Sequence, residues 1–509
     1  MDRRRFLRNA LLAFPPARAA LGRSLKLEEV TISDLERGYQ EGWLTARAAA
    51  EWYLERIESL DKRGPKVNSV IEINPDALRI ADELDRERLS GHVRGPLHGV
   101  PILIKDNFDT ADRMSTTCGS LALVKRATVR DAFVVQALRA SGAVLLGKTN
   151  LSEWAGFRST SSISGWSGRG GLTHNPYVLD RNPSGSSSGS AAAVSSNFCA
   201  LGVGTESDGS VTAPASVNGI VGIKPTVGLL NHSGVIPLSR SQDTTGPMAR
   251  TVRDAAILLS AMTGKAGLDY TKYLDWRGFK GMRLGVERNY FGANVATNRL
   301  LENCLAEMKR QGAELVDPAN LPSYGEYDQD EFDVFLYEFK AGLNAYLARR
   351  PGTGVRSLAE VIAFNQQRSG EEMPYFQQDL LERAQAKGTL TEKAYLDARA
   401  RCVKLSRAEG IDAVIEKYKL DAIVAPTAGP ATRHNTIPVE SDWPVCTKPA
   451  AVAGYPHITV PAGLVKGLPV GISFFGPARS EPLMFKLAYA FEQATMARQQ
   501  PTFALSSAV

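Results

Sequence analysis

Two loops of small residues and one lysine hold the chemistry that this sequence makes possible. The first loop, RNPSGSSSGS over 181–190, is followed at once by the helix-forming run AAAVSSN and by FCALGV (198–203), an apolar run short enough for a buried strand. A flexible linker would have polar sequence on both sides and no return to regular structure, so the serine run reads as a turn into a helix with Ser190 at its N-cap. A second small-residue loop, GTESDGSVTAPASVNG, begins at Gly204 where that strand should end. A helix of about nine residues advances roughly 13 Å and a strand of five about 16 Å, so travelling out along one and back along the other nearly cancels. Ser186 and Ser210, 24 residues apart, can therefore meet.

Two serines still need a base. The chain has six histidines, and none sits in a setting that marks it as a partner for either loop; His98, in GPLHGVPILIKDN, suits a local turn. The same segment offers Lys105, delivered by the apolar strand Gly99 to Ile104 and followed by Asp106 and Asn107. A lysine after a strand is ordinarily solvated, but beside two hydroxyl-bearing loops it becomes a candidate general base. To act near neutral pH it must be neutral, a cost of about 4 kcal/mol against its free value of roughly 10.4. Burial at the end of GVPILI favours the neutral amine, and hydroxyl partners add no opposing charge.

The elements that position these residues alternate between strand and helix, the pattern of an α/β protein with a central sheet covered by helices. Helices are predicted over 131–141, near 297–311 and over 330–348, and strands over 143–147, 282–286, 313–316, 421–426 and 457–463. In the 330–348 helix, Phe332, Phe335, Leu336, Phe339, Leu343 and Leu347 recur at helical spacing. Residues 327–418 are mostly helical and charged, which predicts a cap or insertion within one domain over 25–500.

Composition narrows the function classes. No apolar run approaches the roughly 18 residues that cross a membrane. Residues 1–19 carry Arg3-Arg4-Arg5-Phe6-Leu7, the pattern of a twin-arginine export signal, and Ala17-Arg18-Ala19 offers a cleavage site. This predicts a periplasmic or secreted enzyme. Cleavage there removes five arginines and one aspartate and lowers the net charge from +6 to +2, and no basic cluster for nucleic acid remains. Cys118, Cys199, Cys304, Cys402 and Cys446 lack metal-site or redox spacing and read as small core residues. No ligand cluster calls for a metal or an organic cofactor.

Five motifs in order, GVPILIKDN, NPSGSSSGSAAAV, GTESDGSVTAPASVNGIVGIKPT, QDTTGPMAR and GYPHITVPAG, span residues 99–463 and resemble the amidase signature family. The resemblance implies a large mixed β-sheet covered on both faces by α-helices, and a Ser-Ser-Lys triad of Lys105, Ser186 and Ser210. It implies that Ser210 is the nucleophile, that Ser186 follows a cis peptide bond and relays the proton to Lys105, and that the backbone of Ser207, Asp208, Gly209 and Ser210 lines an oxyanion hole. Ser184, Ser188 and Asp208 stand where many members have glycine, which puts the shape of the oxyanion turn in question. Thr212 and Ala213 stand where members acting on acidic or tRNA-linked substrates carry arginine, which disfavours a carboxylate-bearing acyl group.

Within the family, residues 149–171, 336–348 and 358–366 are similar to bacterial peptide amidases, which remove the C-terminal amide of peptides. The wall Ser159-Thr160-Ser161-Ser162 could pair a peptide backbone, with Ser161 and Ser162 as candidate substrate contacts, whereas an alkyl chain would leave those groups unsatisfied. A broader aryl or aliphatic amidase is the alternative. A carrier that keeps the fold without turnover would be marked by loss of a triad residue, and all three are present. Outside the family, Gly142 to Thr149 satisfies the GxxxxGK[ST] expression of a phosphate-binding loop. Its four intervening residues are themselves an apolar strand, which cannot wrap a phosphate, so nucleotide hydrolysis is disfavoured.

Overall fold

Eleven strands share one mixed sheet. In chain order the strands are β1 (Val70–Ile73), β2 (Pro101–Lys105), β3 (Val144–Thr149), β4 (Trp166–Ser167), β5 (Gly171–Leu172), β6 (Leu201–Glu206), β7 (Val221–Lys224), β8 (Thr244–Ala249), β9 (Arg283–Val286), β10 (Glu314–Val316), β11 (Ala422–Pro426), β12 (His457–Val465) and β13 (Leu468–Phe475). β4 and β5 pair with each other, and the rest run in the order β1-β3-β2-β6-β8-β7-β12-β13-β11-β9-β10. β2 lies parallel to both β3 and β6, and β9 to both β10 and β11, while the other neighbours are antiparallel. The structure is a computed structural model that describes residues 25–124, 128–350, 352, 354–434 and 444–506. The arginine-rich start of the chain, with the export signal expected there, lies outside the described residues.

Every residue of β2, β3, β6, β7, β8, β11 and β13 is buried. Successive side chains of a strand point to opposite faces, so both faces of this sheet are covered by helices. This is the α/β architecture that the amidase signature implies. The strands predicted over 282–286, 313–316, 421–426 and 457–463 appear as β9, β10, β11 and β12, and the predicted helices appear as Phe133–Ala140, Val295–Arg310 and Asp328–Ala348. All five cysteines are buried and free.

Two boundaries differ from the sequence pattern. The helix after the serine loop spans Ser188–Ser195, so Ser190 lies inside it rather than capping it. All eight residues of that helix are buried, and the Ser190 hydroxyl pairs with Thr149 Oγ1 at 2.7 Å and donates to the Val203 carbonyl at 3.2 Å. The neighbouring strands satisfy this hydroxyl, so it has no capping role. Second, β6 starts at Leu201 and continues through Gly204, Thr205 and Glu206, which the small-residue composition suggested were loop. Pairing with β8 along its whole length holds those residues extended. A Cβ on Gly204 would lie 2.6 Å from Ser187 Oγ, so glycine is what lets the serine helix pack onto the strand.

The helix Asp328–Ala348 buries Leu336, Phe339, Leu343 and Leu347 in a second core shared with Leu151, Trp154 and Phe157 of the loop after β3 and with Leu358, Val361 and Leu381. Most of residues 328–418 is helical. These helices stand over the same loop that leads towards the serines.

Candidate active site

Strand β2 ends in Lys105 and strand β6 ends in Glu206, side by side and parallel, so both chains leave the sheet at the same edge. Lys105 is fully buried, and its Nζ lies 2.7 Å from Ser186 Oγ, 2.9 Å from Thr205 Oγ1 and 3.3 Å from the Thr205 carbonyl. Two of the three groups around the amine are therefore fixed acceptors on β6, and the third is a serine hydroxyl. Burial lowers the Lys105 ammonium from 10.5 to about 7. Among the described residues no carboxylate forms an ion pair with it, and Asp243 and Glu206 act on it only from beyond contact distance.

The peptide bond Gly185–Ser186 is cis. The Ser186 carbonyl accepts from the Ser152 amide at 3.1 Å, and the next residue, Ser187, donates its amide to the Ser210 carbonyl at 3.0 Å. That last bond joins the two serine loops directly, as the out-and-back geometry requires. Exposure rises along the series, from 0% at Lys105 and 3% at Ser186 to 9% at Ser210, so the second serine is the member that a solute meets first.

Gly209 adopts φ of 74° in the turn before Ser210, and a Cβ there would fall 2.9 Å from Thr447 Oγ1. Among the described residues, the amides of Asp208, Gly209 and Ser210 donate no hydrogen bond. Three free N–H donors at a left-handed turn leave a cradle that can donate to an anionic oxygen. The carboxylate of Asp208, where many members of the family have glycine, accepts from Thr447 Oγ1 at 2.6 Å and is drawn away by that anchor. Gln242 Nε2 holds the Ser207 carbonyl at 3.2 Å, and the Ser207 hydroxyl donates to Asp243. On the far side, Glu206 Oε2 accepts from the amides of Val211 at 2.7 Å and Thr212 at 2.9 Å. The turn is thus held from both ends and its own amides are left free.

The other sequence candidates fall elsewhere. His98 accepts from the Arg94 amide and pairs with the Leu84 carbonyl, remote from both serine loops. Gly142 to Thr149 enters β3, and Lys148 is buried with its Nζ on the Phe108 carbonyl at 2.9 Å and on Thr116 Oγ1, so it cannot reach a phosphate. The wall 159–162 is largely folded onto itself and onto the cap. Ser159 and Thr160 hydroxyls donate to Asp379, the Ser161 amide donates to Ser159 Oγ, and Ser162 Oγ accepts from the Ser159 amide. Ser161 and Ser162 remain half-buried, but Ser159 and Thr160 are committed to bracing the cap.

Sequence reasoning missed Thr205, Glu206, Gln242, Asp243 and Thr447. The first four lie inside quoted motifs, GTESDGS and QDTTGPMAR, and the motifs were their only signal. Thr447 has no local signal at all, because it reaches Asp208 across 239 residues of chain. Also missed was a buried cluster linking cap and core. Arg158 Nη1 bonds Glu153 Oε1 at 2.9 Å and the Glu372 carbonyl, and the guanidinium stacks 4.0 Å over Phe376 and 4.8 Å over Trp166. Burial pushes the Glu153 carboxyl well above the usual range, and Glu372 is raised as well.

A buried lysine, two serines on facing loops and a cradle of free amides, set at the edge of an eleven-stranded mixed sheet, define an amide hydrolase of the amidase signature class. The chain belongs to that family, whose Amidase model matches residues 48–485. The native peptide amidase of Stenotrophomonas maltophilia is 48% identical and superposes with a TM-score of 0.89, covering 94% of this chain and 99% of that one. A peptide amidase in complex with the competitive inhibitor chymostatin is 47% identical with a TM-score of 0.89 over 93% of this chain and 99% of that one. A probable amidase of Arabidopsis thaliana is 43% identical over 505 residues, 95% of this chain and 93% of the relative.

Proposed function

We propose that the protein hydrolyses the C-terminal carboxamide of peptides to the free acid and ammonia through an acyl-enzyme on Ser210. The observation that carries the proposal is the 2.7 Å contact between Lys105 Nζ and Ser186 Oγ in a site where burial holds the amine near neutrality. Ser210 Oγ attacks the amide carbonyl, its proton passes to Ser186 Oγ, and the proton of Ser186 passes to Lys105 Nζ. Amides of Ser207 to Ser210 receive the negative charge that develops on oxygen. When the tetrahedral adduct collapses, the proton returns through Ser186 to the leaving nitrogen and ammonia departs. Water then repeats the sequence on the ester of Ser210, and the acid is released.

Peptide specificity rests on end-to-end similarity to peptide amidase at nearly half identity. It also fits Thr212, which stands where members acting on acidic substrates carry arginine and whose amide and hydroxyl turn inward to Glu206. Comparing kcat/KM for a blocked dipeptide amide, a long-chain fatty amide and a simple aryl amide tests it. The dipeptide amide is expected to be preferred. Preference for the fatty or aryl amide would establish the broader amidase and leave the serine chemistry intact. We further propose export by the twin-arginine route, on the strength of Arg3-Arg4 with Phe6-Leu7.

A further inference from the structure

A groove of about 660 Å³, lined by neither Ser186 nor Ser210, lies between the helices of 328–418 and the loops that follow the strands. Three arginines border it: Arg240 from the loop before β8, Arg399 from the helix Lys393–Ser406, and Arg407 just beyond that helix. Tyr395 and Arg399 are four residues apart and share one helix face. Both the Arg240 and the Arg399 guanidinium act on the phenol of Tyr395, which lines the same groove.

The carboxylate that lines the groove, Glu338, is already engaged. Glu338 accepts from Ser239 Oγ at 2.6 Å, from the Ser241 amide at 2.9 Å and from the Tyr395 hydroxyl at 2.7 Å. Beside it, Asp412 accepts from the Tyr455 hydroxyl and Glu481 from the Thr226 amide. Arg407 is fixed by the Ala453 carbonyl at 2.8 Å and lies over the Tyr455 ring. Among the described residues, Arg240 and Arg399 have no hydrogen-bond or ion-pair partner. The lining therefore carries three guanidinium groups against one carboxylate, with two of the three cations uncommitted.

Arginine forks match the oxygens of phosphate and carboxylate groups, and a concavity of this size takes a small organic anion as readily as an inorganic one. We infer that the groove bordered by Arg240, Arg399 and Arg407 is a second ligand site, for a small multivalent anion bearing phosphate or carboxylate groups. Its occupant would lie against Ser241, next to Gln242, whose side chain holds the Ser207 carbonyl of the nucleophile turn. None of the lining residues belongs to the triad.

The test is calorimetric titration of the full chain at low ionic strength with inorganic phosphate and, separately, with citrate, in the absence of any amide. Saturable binding is expected for at least one of them, and the arm that binds identifies the group. Arg240→Gln with Arg399→Gln should weaken that binding at least about tenfold while leaving the unfolding temperature in anion-free buffer unchanged. Should the double variant fold poorly, Arg240→Gln alone, at an exposed side chain, gives the same readout. Failure of both anions to saturate, or equal binding by the variants, overturns the inference. Either result is independent of amide turnover, so it leaves the proposed reaction to its own test.

Discussion

Replacing Lys105 by methionine separates the cost of burying the lysine from its use. A fall from 10.5 to about 7 corresponds to about 5 kcal/mol of disfavoured charge. Below pH 7 the lysine is protonated in both folded and unfolded chains, so the fold bears that whole cost. Between pH 7 and 10.5 only the unfolded chain keeps the proton, and stability rises with pH through that window. Methionine keeps the apolar stem and removes the charge. It also removes a donor from three acceptors, but Thr205 Oγ1 keeps Asn107 Nδ2 at 2.9 Å and the Thr205 carbonyl keeps Ser187 Oγ at 3.1 Å. Only Ser186 Oγ loses its partner, at about 1–2 kcal/mol.

Lys105→Met should therefore be more stable than the wild type by about 3 kcal/mol near pH 6 and by about 1 kcal/mol near pH 8.5, while being inactive. Urea unfolding of both proteins at the two pH values measures it. Lys148 and Lys224, each lowered to about 8 by burial, contribute to both proteins and cancel in the difference. For the wild type, kcat/KM should climb about tenfold per pH unit up to about 7 and then level. A variant less stable than the wild type near pH 6, or a gap unchanged between the two pH values, would refute the account of Lys105 as a desolvated amine.

Ser210→Ala should form no covalent adduct with an activated acyl reagent, whereas Ser186→Ala should lose several orders of magnitude in kcat yet still be acylated slowly; mass spectrometry after quenching distinguishes them. Thr205→Val keeps the shape of the strand residue and removes one acceptor from Lys105, so kcat should fall about tenfold with KM unchanged, and a KM effect alone would count against it. Arg158→Met leaves Glu153 and Glu372 without their cation and should cost about 3–5 kcal/mol, read as a lower unfolding midpoint that partly recovers in acid as the carboxyls take up protons. Changing Arg3 and Arg4 to lysine should hold the protein in the cytoplasm, and unchanged periplasmic recovery would exclude the export signal.

What the sequence discloses and what it hides follow from the range of the interactions involved. The approach of Ser186 to Ser210 is legible because a short helix and a short strand return the chain to its starting level, and Lys105 is legible because an apolar strand ends on it. The extension of β6 to Glu206 is not, since glycine and threonine next to a small-residue turn look like loop until β8 pairs with them. Ser190 looks like a cap for the same reason, because nothing local shows that strands on both sides will claim its hydroxyl. The cap is visible as helical sequence, but its fastening is invisible. Arg158 and Glu372 are 214 residues apart, and a buried triplet of ionisable groups leaves no periodic trace in a pattern of apolar residues.

Burial alone does not single out the base. Lys105, Lys148 and Lys224 are all fully buried at or next to the last residue of a strand, and all three ammonium groups are lowered by desolvation, to about 7, 8 and 8. Lys148 spends its donors on the Phe108 carbonyl and Thr116, and Lys224 meets the Pro225 carbonyl at 3.3 Å with Glu206 as the charge that acts on it most strongly. A carbonyl has no proton to surrender, so Lys224 has no acid to deprotonate, and Lys148 has only a threonine that faces no second hydroxyl loop. Lys105 alone faces a serine, and that serine sits on the loop bonded to the Ser210 turn. Desolvation favours the neutral amine at three places, and only at Lys105 does the fold set a serine hydroxyl beside it.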